Sequence, residues 1–442
     1  MSHVPPRLRG LLTFYPPPRR PSPGAAAPGA RPDRPPRAAV PATVLVLGTV
    51  SLITDISSEM VTAVLPLYLV AELGLSPLGF GLLDGVYNGV SALVRLVGGR
   101  ASDRGRGGGH KTVAALGYGL SALCKPLLLM VHTLPLIGAV LAADRTGKGL
   151  RTAPRDALIS LSCEPATRGR AFGVHRAMDT AGALLGPLVA FLVLRAAADG
   201  YDAVFTVSGC VAALGVAVLL LFVPGRARTS VTPRPDTAAR PTVGSLLRRP
   251  AVRRLTGCAV LLGLTTVSDS FLYLTLQRRL GLSGAWFPLL PLGTAAAFLL
   301  LAVPLGALAD RIGRRRLFLL GHLALLAAYG LLLAPLGGST VLTCLVLALH
   351  GGFYASTDGV LAAATADAVP EEVRGSGLAV VQTGQAAARF GCSLAFGAAW
   401  TAWGDRWALG LATGGLALAA ALSARLLRRV PAPAVTLSEP VT

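Results

Sequence analysis

The chain has 442 residues, 53% hydrophobic and 14% charged, with a mean hydropathy of +0.62, more apolar material than a water-soluble surface hides, which excludes an ordinary soluble enzyme. The formal charge of +20 does not point to nucleic acid as a partner, because the basic residues lie between apolar runs and not on a polar folded face. The six cysteines, Cys124, Cys163, Cys210, Cys258, Cys344 and Cys392, fall almost entirely inside apolar runs without C-x-x-C or histidine spacing, so they read as small buried hydrophobes and no metal or cofactor is expected.

In chain order, residues 1–38 are rich in Pro, Arg, Gly and Ala and lack an apolar stretch long enough for a signal peptide. They read as a disordered cytoplasmic tail, or equally as the product of a misassigned start. Within 39–223 six apolar segments follow, at about 42–70, 78–97, 112–131, 134–158, 169–194 and 203–223. Residues 224–254 hold Arg226, Arg228, Arg234, Arg240, Arg248, Arg249, Arg253 and Arg254 among prolines and threonines and read as a cytoplasmic linker. A second six, at about 255–276, 286–305, 317–336, 341–366, 377–402 and 408–427, fills 255–427, and 428–442 forms a C-terminal tail. Spans of about 20 residues, about twelve times over, need roughly 240 residues, which suits the hydrophobic fraction. The predicted class is an all-α membrane protein of twelve transmembrane helices in two six-helix bundles.

Alternate loops differ in basic content. One set holds Arg100, Arg104, Arg106 and Lys111, then Arg168 and Arg170, the linker arginines, Arg311 and Arg314 to Arg316, and Arg374; the other holds only Arg195, Arg278, Arg279 and Arg406. The positive-inside rule puts both termini in the cytoplasm of a cell-membrane, multi-pass protein.

The two groups of six carry an internal repeat. Gly99-Arg100-Ala101-Ser102-Asp103-Arg104 returns as Gly306-Ala307-Leu308-Ala309-Asp310-Arg311, and Arg168-Gly169-Arg170-Ala171 returns as Arg374-Gly375-Ser376-Gly377 at nearly the same offset. Gly306, Asp310, Arg311, Gly313, Arg314 and Arg315 resemble the signature loop of the major facilitator superfamily, and Gly99, Asp103 and Arg104 match its first-half copy before a glycine-rich insertion. Arg145-Thr146-Gly147-Lys148-Gly149 resembles the family's second motif. Gly173, Gly182, Gly186 and Pro187 resemble the pattern associated with its proton antiporters, with Ala190-Phe191 where two glycines are usual. The resemblance implies two bundles related by a pseudo-two-fold axis along the membrane normal, moving a small-molecule substrate by alternating access.

Physically, the repeated loop reads as a cytoplasmic gate, glycines allowing close approach and the carboxylates meeting a helix N-terminus in one state only, or as a plain positive-inside loop. Gly173, Gly182, Gly186 and Pro187 read as helix packing and a bend, or as control of leak. A charge at mid-membrane costs about 2.5–3.5 kcal/mol, so buried charges face a cavity or one another. Asp55 and Glu59 share a face of the first helix, and with Arg145 they are the candidates for proton coupling. Asp84, Asp144, Lys148, Arg151, His175, Arg176, Asp179, Asp269, His350 and Asp358 are the transport-cavity candidates. Because acids nearly balance bases in the first half, static neutralising bridges are the competing reading for each. Coupling is expected in the first half and a substrate wall in the second, where Gln382, Gln385 and Arg389 add polar groups. Tyr87, Tyr273 and Tyr354 either line a pocket or pack.

The expected function is a transporter, monomeric in the bilayer, exporting a drug-like or metabolite substrate against protons. The arginines and lysine of the fourth helix motivate the alternative, an uptake carrier or uniporter for a polar or anionic metabolite. No G-x-S-x-G, H-E-x-x-H or phosphate-binding loop occurs, which argues against an intramembrane enzyme or a nucleotide hydrolase.

Overall fold

A computed structural model describes residues 40–104, 110–164, 167–197, 200–223, 243–335, 339–357, 365, 369 and 374–428. The N-terminal tail, most of the linker and nearly all of the C-terminal tail lie outside these residues. The described structure is helical, with no strand among the described residues. The first half comprises α1 (Ala42–Leu67), continued by a π-turn at Tyr68–Glu72, then α2 (Pro77–Arg104), α3 (His110–Met130), α4 (Leu134–Leu161), α5 (Arg168–Ala196) and α6 (Gly200–Phe222). After a short α7 (Val243–Leu247), the second half comprises α8 (Pro250–Gly263), α9 (Asp269–Leu280), α10 (Leu289–Ile312), α11 (Arg314–Leu333), α12 (Thr340–Thr357), α13 (Arg374–Trp403) and α14 (Asp405–Arg428).

Packing in the two halves follows one scheme. In the first, α1 packs against α5 and α6, α3 against α4 and α6, α2 against α4, and α5 against α6. In the second, α8 takes the place of α1 and packs against α13 and α14, α11 against α12 and α14, α10 against α12, and α13 against α14. The contacts between halves obey the same exchange, α2 on α13 and α10 on α5. A duplicated helix order that buries the same faces twice is the physical content of the pseudo-two-fold.

Eight described helices are long and apolar enough to cross a membrane by length and composition. The exceptions explain themselves. Helices α2, α4 and α13, at 28, 28 and 30 residues, have the length, but their polar and charged residues lower their hydropathy. The segment expected as one helix at 255–276 is broken at 264–268 into α8 and α9. The break survives in apolar surroundings because its polar groups are served: Val267 N–H donates to the Tyr329 hydroxyl at 2.9 Å, and the Thr266 hydroxyl to the Leu262 carbonyl at 2.8 Å.

Close approach of α5 to α1 requires glycine. A Cβ on Gly182 would lie 2.5 Å from the Leu52 carbonyl oxygen, and one on Gly186 2.7 Å from the Glu59 Cβ, so the two backbones touch where the charged face of α1 meets α5. Gly173 has nothing within 4 Å of such a Cβ, so the crossing is made by its two successors.

One apolar cluster gathers the start of α1, the start of α3, the end of α4 and the end of α6, with Val44, Leu47, Tyr118, Ile159 and Leu219 at its centre. These ends therefore share one side of the bundle, called here the entry side. A larger cluster fills the middle and the opposite side and, in the second half, extends to Leu255, Phe318 and Leu427.

Candidate functional site

Between the halves lies a cavity of about 430 Å³. Its first-half wall comes from α1 and α2, with Glu59, Thr62, Asp84, Tyr87 and Asn88; its second-half wall includes Ser268, Asp269, Tyr273, Tyr354, Arg389 and Ser393. The broken seventh segment thus delivers its Thr266–Ser270 stretch to the site, where irregular backbone is tolerated because it lines a cavity.

On the side opposite the entry side the halves are sealed. Phe80 meets Phe271 edge-on with ring centroids 4.8 Å apart, Phe271 stacks on against Phe396 and Trp400, and Phe191 meets Trp286 at 5.2 Å. The Leu78 N–H donates to the Thr401 hydroxyl at 3.0 Å. Gly81 faces the Ser393 carbonyl and Gly397 the Pro77 carbonyl so closely that no side chain fits between α2 and α13. Towards the entry side the wall opens: Gln382, which continues the helical stripe of Arg389 and Ser393, is exposed.

Behind the first-half wall runs a buried ionic network on α1, α3, α4 and α5. Asp144 accepts from Lys125 Nζ at 2.8 Å, Ser121 Oγ at 2.5 Å, and Arg145 Nε and Nη2 at 3.1 and 2.7 Å. Arg145 also sits 4.0 Å above the ring of Tyr87, a cation–π contact. Asp55 pairs with Arg151 at 3.1 Å, Arg151 lies over Tyr118, and Lys148 bridges Asp55 at 4.0 Å and Glu59 at 3.3 Å. Arg155 meets Asp156 at 3.0 Å and Asp179 at 3.5 Å, and Ser51 joins it to His175. Each acid in this network has a base within reach, as the cost of an isolated buried charge demands.

The sequence candidates therefore divide. Glu59, Asp84 and Asp269 line the cavity. Asp55, Asp144, Arg145, Lys148, Arg151, His175 and Asp179 belong to the network and are not among the residues lining the cavity. Arg176 has a side chain 78% exposed, meets Asp179 at 3.4 Å, and is not among the residues lining this cavity. His350 is buried behind the wall with Nε2 3.1 Å from Asp269 Oδ1, which also accepts from the Tyr354 hydroxyl at 2.7 Å. Asp358 lies outside the described residues.

Of the gate candidates, the surroundings of Gly99 and the side chains of Asp103, Arg104, Asp310 and Arg314 lie outside the described residues. Gly306 has nothing within 4 Å of a Cβ placed there, which differs from the tight contact expected at that position. Gly313 turns α10 into α11 at φ +89°, a conformation that favours glycine. Arg311 is exposed, and Arg315 Nη1 donates to the Leu427 carbonyl at 3.3 Å.

Sequence reasoning missed the role of Ser393, whose hydroxyl donates to Asp84 Oδ2 at 2.6 Å and joins the halves, and of Ser268 and Ser270, which also face Asp84. A signal existed. Thr265-Thr266-Val267-Ser268-Asp269-Ser270 is a polar run inside an apolar segment.

Two duplicated helical halves around a central polar cavity, closed on one side, define a membrane transporter of the alternating-access class. The pattern of the Major Facilitator Superfamily matches residues 47–299 and again 270–441, and the chain belongs to that family. It is 29% identical over 77% of its length to an uncharacterized MFS-type transporter of Methanocaldococcus jannaschii, covering 84% of that protein. Among solved structures it superposes on a point mutant of the nucleoside transporter NupG with a TM-score of 0.74 at 14% identity, covering 87% of this chain and 99% of that one. It superposes on the peptide transporter POT in complex with sulfate with a TM-score of 0.73 at 16% identity, covering 88% and 95%. At such identities the superpositions speak for the fold.

Proposed function

We propose that the chain is a proton-coupled exporter, exchanging a small molecule for protons as the two halves rock about the cavity. The observation that carries this reading is Glu59, which lines the cavity and is at the same time tied to Lys148 and, through it, to Asp55 in the buried network. Glu59 and Lys148 keep side-chain exposures of 27% and 34%, so water reaches the point where the network meets the cavity. A proton arriving there neutralises Glu59, frees Lys148 to turn to Asp55, and alters the charge of the α1 face against α4 and α5. The domains are the two six-helix bundles, 39–223 and 255–427, joined by the 224–254 linker, working as a monomer in the cell membrane with both termini cytoplasmic.

The uptake reading is motivated by the arginines and lysine of the fourth helix. Arg145, Lys148, Arg151 and Arg155 each meet a carboxylate, which argues against an anionic metabolite bound by α4.

The test uses proteoliposomes containing the full chain and a compound selected by thermal stabilisation. An imposed pH gradient is expected to accelerate flux, and Glu59→Gln to retain exchange of labelled for unlabelled compound while losing the response to the gradient. Flux indifferent to the gradient, and to neutralisation of Asp55, Glu59 and Arg145, would overturn the reading.

A further inference from the structure

The charges lining the cavity do not cancel. Among the described residues three carboxylates face it, Glu59, Asp84 and Asp269, against one lining guanidinium, Arg389. Glu59 is matched by Lys148 at 3.3 Å. Asp269 accepts from the Tyr354 hydroxyl at 2.7 Å and meets His350 Nε2 at 3.1 Å, with the Arg389 guanidinium in its electrostatic surroundings. Asp84 is left over. It is 7% exposed, and among the described residues it makes no ion pair: its hydrogen-bond partners are the hydroxyls of Ser393, Ser268 and Ser270. The titratable and charged groups around it are Asp269 from α9, Arg389 and Cys392 from α13, and Tyr87 on its own helix, behind which Arg145 of α4 and Glu59 of α1 are engaged with Asp144 and Lys148.

A buried carboxylate without a cation is costly and is relieved in one of two ways, by taking a proton or by receiving a positive ligand. The walls supply what the body of such a ligand would need. Tyr273 and Tyr354 line the cavity with aromatic rings, a side-chain type that attracts cations, and the buried Thr294 hydroxyl on the wall is a further polar group.

We propose that the substrate is a compact organic monocation with an aromatic or hydroxylated body, and that it competes with a proton for the single carboxylate of Asp84. When the cation enters, the Asp84 O–H bond breaks, the bonding pair stays on the carboxylate oxygen and the proton passes to water in the open mouth; when the cation leaves, a proton from the other compartment takes its place. This rests on the transporter reading above, and it adds a second proton-binding carboxylate on the same first-half wall as Glu59.

The experiment measures binding to the detergent-purified full chain, with no membrane and no gradient, using two pairs of probes matched in shape and opposite in charge. These are tetraphenylphosphonium with tetraphenylborate, and benzyltrimethylammonium with benzenesulfonate. Titration calorimetry is expected to show the cation of at least one pair binding about tenfold or more tighter than its anion, with affinity falling as pH falls and protons released on binding. Asp84→Asn should abolish both the charge preference and the proton release, and Asp84→Glu should keep the preference. No preference for the cation in either pair, or a preference that survives in folded Asp84→Asn, would overturn the proposal; the wild-type comparison decides even where that variant does not fold. The two readings fail separately. Cation binding without gradient-driven flux removes the exporter, and gradient-driven flux without cation preference removes this inference.

Discussion

At the scale of single residues, burial decides which charges matter for stability. Asp144 serves four donor contacts from Ser121, Lys125 and Arg145, and its side chain is 5% exposed. Asp144→Asn strands two buried cations, so a loss of about 3–5 kcal/mol is expected, read as a large drop in the thermal unfolding midpoint of the purified protein. Asp156, with a side chain 43% exposed and paired to Arg155 at 3.0 Å, contributes at most about 1 kcal/mol, and Asp156→Asn should hardly move that midpoint. Equal effects would mean that the network is not the low-dielectric structure its geometry describes. The spacing of Asp55 and Glu59, four apart, made their common face legible in the sequence, and Lys148 meets both. The bond from Ser393 to Asp84 spans 309 positions; no local pattern encodes it, and serine is too common a residue to announce a partner in the other half.

At the scale of elements, the first half was easy to read because its charges recur at helical spacing on α4, where Asp144, Lys148, Arg151 and Arg155 form one stripe. The second half gave less away. Its seventh segment reads as one apolar segment with a polar run at 265–270, and the break at 264–268 is stabilised by Tyr329, a residue two segments downstream whose hydroxyl takes the Val267 N–H. The glycines of α5 were legible as a set but not individually, since spacing does not tell which one meets a backbone. Gly186→Val would place carbon where Glu59 Cβ and the Ile56 carbonyl oxygen already stand, 2.7 and 2.9 Å from the first added atom, forcing α5 away from α1. A loss of about 1–3 kcal/mol from overpacking is expected, together with impaired flux, because Glu59 moves with α1. Gly173→Ala meets open space and should be neutral or stabilise by up to about 1 kcal/mol through helix propensity. Thermal unfolding of the two variants side by side checks the contrast.

At the scale of the whole molecule, the state of the cavity depends on a seal built from both halves, aromatic rings at Phe80, Phe271, Phe396 and Trp400 and backbone contact at Gly81 and Gly397. Both glycines belong to the same α2–α13 interface, so a side chain there cannot be absorbed by one helix alone; it pushes the halves apart on the sealed side. Alternating access couples that separation to closure on the entry side, since the halves move largely as rigid bodies about the central site. Gly397→Val is therefore expected to act on the balance between states. If overpacking costs the sealed state about 1–3 kcal/mol and each 1.4 kcal/mol is about tenfold in population, the ratio of molecules open on the other side to sealed ones rises by about fivefold to a hundredfold. The readout is Ser393→Cys, on the cavity wall, in a chain whose six native cysteines are replaced. With Gly397 intact, a membrane-impermeant thiol reagent should reach the introduced thiol from the entry side only, and adding Gly397→Val should open it to reagent from the opposite side while slowing reaction from the first. Unchanged sidedness in a folded variant would mean that the α2–α13 contact does not control access, and that closure resides in the aromatic contacts alone.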